Sequence, residues 1–162
     1  MATTDSGKKG VLKKVLVVLG ILAVVIQFFR PTYDNPVADP SLAAASTLQI
    51  PSRVAAMLRT SCYDCHSNET RWPWYGYIAP ASWLLARDIA EGRRRMNFSE
   101  WGGYAQSRQV SLLGNIAEEV SKEGMPYPPY LLLHAEAKLS QADRDSLVAW
   151  ANDEQDRLFS GD

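Results

Sequence analysis

The stretch "SCYDCHSNETRWPWYGYIAP", Ser61 to Pro80, contains both cysteines of the chain and one of its two histidines. Cys62 and Cys65 are three positions apart, and His66 follows immediately. The preceding segment, "PSRVAAMLRTSC", places a proline at a favoured first helical position and repeats apolar residues at helical spacing. A helix is therefore predicted to run directly into the cysteine motif, and the functional interpretation of the sequence depends on what this motif binds.

Three kinds of chemistry compete for the C-Y-D-C-H motif. Two thiols at this spacing can add to the two vinyl groups of one haem, with the iron resting on the adjacent His66 as proximal ligand. A thiol–disulfide pair also uses C-x-x-C, but its usual βαβ context is absent and it leaves His66 without a role. Zinc needs four ligands, and the chain offers only Cys62, Cys65, His66 and His134, of which the adjacent Cys65 and His66 can hardly both reach one tetrahedral ion. We favour one haem c with its iron; a plain disulfide is the structural alternative.

A haem iron held by His66 has a second axial position, for which the chain offers two main candidates. Met125 lies in "EGMPYPP", where the following proline favours an extended backbone and the other prolines stiffen the loop. A stiff loop loses little entropy when its thioether binds iron. His134 is the rival and would give a lower reduction potential. We expect Met125 to be the ligand and His134 to be satisfied by neighbouring backbone groups.

The rest of the chain after Pro51 shows helical periodicity and no convincing strand pattern. "PASWLLARDIAEGRRR" has an apolar stripe through Trp83, Leu84 (or Leu85) and Ile89, and "SRQVSLLGNIAEEVSKEG" is amphipathic with Gly124 as its predicted end. Ser140 opens the last helix, with Asp143 in a capping-box position, and the apolar side of this helix is Leu147, Val148, Trp150, Ala151 and Leu158. The domain at 51–162 is therefore predicted to be all-α, with about four helices.

The N-terminal part of the chain is organised differently. "VLVVLGILAVVIQFF", Val15 to Phe29, follows Lys13 and Lys14 and is apolar on all sides. We expect residues 1–30 to form a cytoplasmic tail and an uncleaved transmembrane signal anchor, because bulky residues follow the run where a peptidase needs small ones. Residues 31–50 are proline-rich and are predicted to be a linker. A cleaved signal peptide is the alternative.

Charge supports this orientation. Before Pro51 there are five basic and three acidic residues, and from Pro51 onward 12 basic and 15 acidic ones. The lysines should remain in the cytoplasm, which places the domain on the outer face of a bacterial inner membrane, in the periplasm. Haem attachment to exported cysteines takes place on that same face. The net charge of −1 gives no indication of nucleic-acid binding.

Two stretches of the sequence, the first of which contains the cysteine motif, resemble a known family. "SCYDCHSNETRWPWYGYIAPASWLLARDIAEGRRRMNFSEW" and "MPYPPYLLLHAEAKLSQADRDSLVAWA" resemble the small bacterial haem-binding domain family of cytochrome c type. The resemblance covers about residues 50–151, and it implies an exported monohaem domain with a cytochrome c-like helical bundle and an N-terminal anchor. In that pattern Cys62 and Cys65 carry the haem, and His66 and Met125 are its axial ligands.

These inferences lead to an expected function. With His66 and Met125 on the iron, the protein is expected to be an electron carrier for unknown redox partner proteins and not an enzyme. Two alternatives stay open. One is a haem sensor or peroxidase-like enzyme with a labile sixth ligand, and the other is a thiol–disulfide oxidoreductase that uses the C-x-x-C pair.

Overall fold

The computed structural model describes residues 4–161, and within that range it is all-helical, with no β-strand. The all-α prediction is confirmed, and the region after Pro51 has four helices of ten residues or more, joined by short 3₁₀ turns. The α-helices are α1 (Thr4–Val25), α2 (Ala44–Thr47), α3 (Ser52–Ser61), α4 (Tyr63–His66), α5 (Ala81–Arg95), α6 (Gln106–Ser121) and α7 (Gln141–Ser160).

The chain divides into two compact units. The N-terminal unit contains the described residues up to Tyr33 together with Trp72–Arg87. The core unit contains Asp34–Arg71 and the chain from Asp88 onward. The predicted domain boundaries at residues 30/31 and 50/51 rest on sequence composition and not on contacts, and they stay a prediction.

The core unit is built on the contact between α6 and α7. These two helices are joined in sequence by residues 122–140, the proline-rich loop that contains Met125. Leu113 of α6 and Leu147 of α7 are completely buried, and α3 adds Leu58. Complete burial of a leucine side chain contributes about 1.5–3 kcal/mol. Trp101, from the turn between α5 and α6, is also fully buried in this core. The apolar spacing predicted for α3, α6 and α7 thus identifies faces that do form the core.

The predicted start of α7 is confirmed, whereas the predicted end of α6 is wrong in its residue. The capping box of α7 is present, with the Ser140 side chain accepting from the Asp143 N–H and the Asp143 side chain accepting from the Ser140 N–H. At the end of α6 the left-handed residue is Glu123, with φ of 58°, and not the predicted Gly124. The Gly124 N–H instead donates to the Glu119 carbonyl at 2.9 Å, closing the turn one residue later.

Part of the segment 31–50, which is predicted to be a linker, is packed against the core. Ala44 is fully buried, and its N–H donates to the Phe98 carbonyl at 2.7 Å. Leu48 is also buried, and the Gln49 N–H donates to the Glu154 carboxylate at 2.8 Å. Residues 44–49 therefore belong to the packed core unit, a role that their composition did not indicate.

The N-terminal unit contains the apolar helix. Residues Lys8–Phe28 form a stretch of 21 residues with a mean hydropathy of 2.3, none of it buried against the rest of the protein. By length and composition it is able to cross a membrane. Helix α1 starts at Thr4, so the segment predicted as a polar tail is helical from that residue.

Candidate functional site

The cysteine motif occupies a break between two helices. Helix α3 ends at Ser61, and Cys62, with φ of −128° and ψ of −38°, departs from helical geometry before α4 begins. The Cys62 carbonyl accepts from the N–H groups of Cys65 and His66, at 3.2 and 2.9 Å. One short helical turn therefore carries both thiols and the imidazole, as the sequence predicts.

The imidazole of His66 is oriented by a carbonyl group 30 residues away. His66 Nδ1 lies 3.2 Å from the Met96 carbonyl oxygen. Because a carbonyl only accepts, Nδ1 carries the proton and the Nε2 of a neutral ring keeps its lone pair. Burial lowers the pKa of His66, against the opposing effect of the Met96 and Gly92 carbonyls. The ring is thus held neutral, in the tautomer that binds a metal through Nε2.

Both cysteines of the motif are partly buried. Burial raises the pKa of Cys62 to about 12 and that of Cys65 to about 11, and the second thiol and the carboxylates near the motif add to the effect. Both cysteines are free. Thiol–disulfide enzymes need a lowered thiol pKa, so this environment is the opposite of theirs. Among the described residues, no cluster of three or more His, Cys, Asp or Glu side chains could hold a metal ion.

Helix α5 packs its backbone directly on the motif at Gly92. A Cβ atom at this position would lie 2.6 Å from the Cys65 carbonyl oxygen and 3.3 Å from the Cys65 Cβ. No side chain larger than hydrogen fits without movement of backbone. Sequence reasoning missed this contact, since Gly92 reads only as a weak position in a helical pattern.

The residues after His66 are tied to the end of α5 by hydrogen bonds. The Phe98 N–H donates to the His66 carbonyl at 2.7 Å. The buried Asn68 and Asn97 side chains are joined at 2.8 Å. Arg93 donates to the Ser67 carbonyl at 2.8 Å. The motif is consequently fixed on its C-terminal side by neutral hydrogen bonds and one arginine.

The other two arginines of the run at 93–95 have a simpler role. Arg94 and Arg95 both pair with the partly exposed Glu91 on the same helix. They form the solvated basic end of α5, where positive charge is favourable for the helix dipole.

Met125 is fixed through its backbone. Its N–H donates to the Glu119 carbonyl at 3.1 Å, and its own carbonyl accepts from Arg144 at 3.1 Å. Arg144 is itself buried and also donates to the Val120 carbonyl. The partly buried Met125 is therefore anchored to both α6 and α7, in accord with the stiff loop expected from its prolines. Its role as an iron ligand stays a prediction.

The proline-rich loop contacts the cysteine motif through Tyr130. The Tyr130 hydroxyl donates to Asp64 Oδ2 at 3.0 Å, and Asp64 lies between the two cysteines. Asp64 also accepts from the Arg71 guanidinium at 3.2 and 3.3 Å. Asp64, one of the two variable positions of the C-x-x-C motif, thus connects the motif to Tyr130, 66 residues later. Only the acidic character of Asp64 was visible beforehand.

His134 is engaged by neighbouring side chains. Its ring stacks on Tyr130 with centroids 3.9 Å apart and planes inclined by 6°. Its Nδ1 lies 3.0 Å from Glu136 Oε1. These contacts satisfy much of the ring locally, although through side chains and not through the backbone groups that we expected.

Comparison with known proteins adds the family. Residues 21–153 match the family described as Haem-binding domain. Cytochrome c peroxidase Ccp of Escherichia coli (strain K12) is 29% identical over 122 residues, which are 73% of this chain and 26% of that protein. The chain thus spans about a quarter of the length of this curated relative. No solved structure matches the chain.

Proposed function

Because the chain belongs to the haem-binding domain family, we propose that Cys62 and Cys65 attach one haem covalently and that His66 is its proximal ligand. The observation that carries this proposal is the hydrogen bond from His66 Nδ1 to the Met96 carbonyl, made by the histidine that directly follows the second of two free thiols. It leaves Nε2 as a lone-pair donor, which is the form of histidine that binds iron. The residues present therefore fit the group, and bound haem supplies a one-electron redox centre.

Met125 is the proposed distal ligand. Its backbone hydrogen bonds to Glu119 and Arg144 restrict the loop before any ligand binds, so little entropy is lost on ligation. A thioether favours reduced iron and raises the reduction potential relative to a second histidine. His134, with its ring stacked on Tyr130, is the less suitable donor because binding iron would disrupt that contact.

The function that these features support best is electron transfer without substrate turnover. Two firm axial ligands leave no open position for a substrate. The apolar helix Lys8–Phe28 supports anchoring in the bacterial inner membrane, with the haem motif on the periplasmic side. Its partners are then redox proteins or carriers at that surface.

A second candidate is a peroxidase-like enzyme in which the Met125 bond is labile. The similarity to a cytochrome c peroxidase favours it, although the match covers 26% of that protein. Such an enzyme needs an open sixth position during turnover, so the firmness of the Met125 bond separates the two functions.

Attachment is tested on full-length protein matured in an export-competent bacterium. A denaturing gel stained for haem and an intact-mass measurement should show one covalently bound haem. Cys62→Ser and Cys65→Ser should each leave at most one linkage, and the double variant none. A bare polypeptide in the wild-type sample would refute the proposal.

The distal ligand is tested with carbon monoxide on the reduced protein. Wild type and His134→Ala should bind it slowly, whereas Met125→Ala should bind it readily and show a lower reduction potential. Rapid binding to the wild type, accompanied by peroxide turnover, would favour the peroxidase-like function instead.

A further inference from the structure

The N-terminal unit exposes a group of large apolar side chains near the end of α1. We call this group the aromatic collar: Phe28, Phe29, Trp74, Tyr77, Trp83 and Leu84. Trp74 is 73% exposed and Phe28 82% exposed. The stripe predicted for α5 is therefore wrong at Trp83, which is exposed. Of the two alternatives Leu84 and Leu85, Leu84 is exposed and Leu85 is partly buried, while Ile89 is buried as expected.

Hydrogen bonds join the part of the collar at the end of α1, Phe28 and Phe29, to the part near Trp83. The Gln27 side-chain amide donates to the Ala79 carbonyl at 3.0 Å and accepts from the Ala79 N–H at 2.9 Å. The Trp83 indole N–H donates to the Phe29 carbonyl at 2.6 Å. Residues 79–83 are thus fixed to the last turn of the apolar helix, although more than 50 residues separate them in sequence.

Close packing gives the Trp74–Tyr77 turn its shape. A Cβ at Gly76 would lie 3.0 Å from the Leu85 side chain and 3.5 Å from the Trp72 ring. Trp72 in turn lies edge-on to Tyr33, with centroids 5.1 Å apart. The turn is held against the start of α5 by these contacts, and Trp74 is left on its outer side.

The position of the collar relative to α1 determines its environment. The 21-residue span Lys8–Phe28, which carries four lysines near its N-terminal end, rises about 1.5 Å per residue and so measures about 31 Å, close to the thickness of a hydrocarbon core. A side chain attached at Phe28 or Phe29 then lies at the membrane–water boundary. Tryptophan and tyrosine are enriched at this depth because they combine an apolar ring with a polar group.

We propose that the aromatic collar inserts into the interfacial layer of the same bilayer that α1 spans, and that lipid is its partner. The inference rests on the proposed anchoring by α1 and extends it to Trp74–Leu84. The collar then gives the N-terminal unit a second attachment to the membrane surface. Such an attachment removes exposed apolar area from water, which is favourable in proportion to the area buried.

The test uses wild-type, full-length, haem-loaded protein in vesicles of phosphatidylcholine and phosphatidylglycerol. One lipid probe carries a photoreactive diazirine at the headgroup level, and a second carries it at the acyl-chain end. After illumination and proteolysis, mass spectrometry locates the labelled peptides. We expect the acyl-end probe to label the middle of α1 and the headgroup probe to label Phe28–Phe29 and Trp74–Leu84.

The chain provides a matched control in Phe159, which is 83% exposed on α7 and lies outside the collar. Its peptide should carry several-fold less label than the collar peptides. Trp74→Ser should reduce labelling of its own peptide several-fold, whereas Phe159→Ser should leave the collar pattern unchanged. Labelling of α1 without the collar would overturn the collar and leave the anchor intact; labelling of neither would overturn both.

Discussion

At the residue scale, Gly92 shows how strongly the motif depends on close backbone approach. Gly92→Ala places a Cβ 2.6 Å from the Cys65 carbonyl oxygen, so α5 or the motif has to shift. We expect a loss of about 1–3 kcal/mol in the free energy of unfolding, as for other overpacked sites. The fraction of chains carrying covalent haem should fall as well. Denaturant unfolding and haem-stained gels measure the two effects.

Gly103→Ala is the control for this substitution. A Cβ at Gly103 meets no atom within 4 Å, so this variant should match the wild type in both measurements. Equal behaviour of the two alanine variants would show that the contact between α5 and Cys65 has no energetic importance.

Tyr130 is the second informative residue. Tyr130→Phe removes the hydroxyl that donates to Asp64 while keeping a ring that can stack on His134. A hydrogen bond to a charged group contributes about 1.5–3 kcal/mol, so the loop should be attached less firmly. We expect reduced stability and faster carbon monoxide binding to the reduced protein, because the loop also carries Met125.

Tyr127→Phe, on an exposed residue of the same loop, is the matched control and should change neither quantity. If Tyr130→Phe lowers stability but leaves carbon monoxide binding unchanged, Tyr130 stabilises the fold without positioning Met125.

At the element scale, Glu154 joins α7 to the packed part of the proline-rich segment. Its carboxylate accepts from the Gln49 N–H at 2.8 Å and pairs with Arg157. Burial acts to raise the pKa of Glu154, but the hydrogen bonds and positive charge of these partners outweigh burial and lower it. Glu154 is itself buried, so the contact is shielded from solvent.

This arrangement predicts a dependence of stability on pH. Because the folded pKa lies below the ordinary value, Glu154 stabilises the protein above about pH 4.3, and this contribution is lost as the pH falls through the folded pKa. Glu154→Gln should cost about 1–3 kcal/mol at neutral pH. The difference from wild type in denaturant unfolding should shrink on acidification; a constant difference at all pH values would contradict the ionic contribution.

At the scale of the whole molecule, the proposed membrane topology predicts that orientation and haem attachment depend on each other. Lys13→Glu with Lys14→Glu replaces two of the four lysines that precede the apolar run Val15–Phe29, which weakens the preference for a cytoplasmic N-terminus. We expect a smaller fraction of chains to carry haem, because chains inserted the other way keep Cys62 and Cys65 in the cytoplasm. Haem staining per chain and protease access in spheroplasts measure this.

Lys122→Glu with Lys138→Glu makes the same change in charge at exposed positions of the core unit and should have no such effect. Equal haem loading in the two double variants would argue that Lys13 and Lys14 do not set the orientation of α1 in the membrane.

The sequence by itself determined the features that depend on neighbours along the chain. Helical spacing identified the buried faces of α3, α6 and α7, Ser140 and Asp143 defined a cap, and the short spacing of Cys62, Cys65 and His66 placed them on one turn. These are local consequences of a 3.6-residue repeat and of hydrogen bonds near helix ends. The apolar helix follows equally from an uninterrupted run of residues.

Only the tertiary structure decided the contacts between distant segments. The Met96 carbonyl on His66, the Gly92 backbone on Cys65 and the Tyr130 hydroxyl on Asp64 each join positions at least 27 residues apart. No spacing rule encodes such pairs, because they arise from packing summed over the whole core. The same holds for Trp83, whose place on the helical stripe indicated burial but whose surroundings left it exposed.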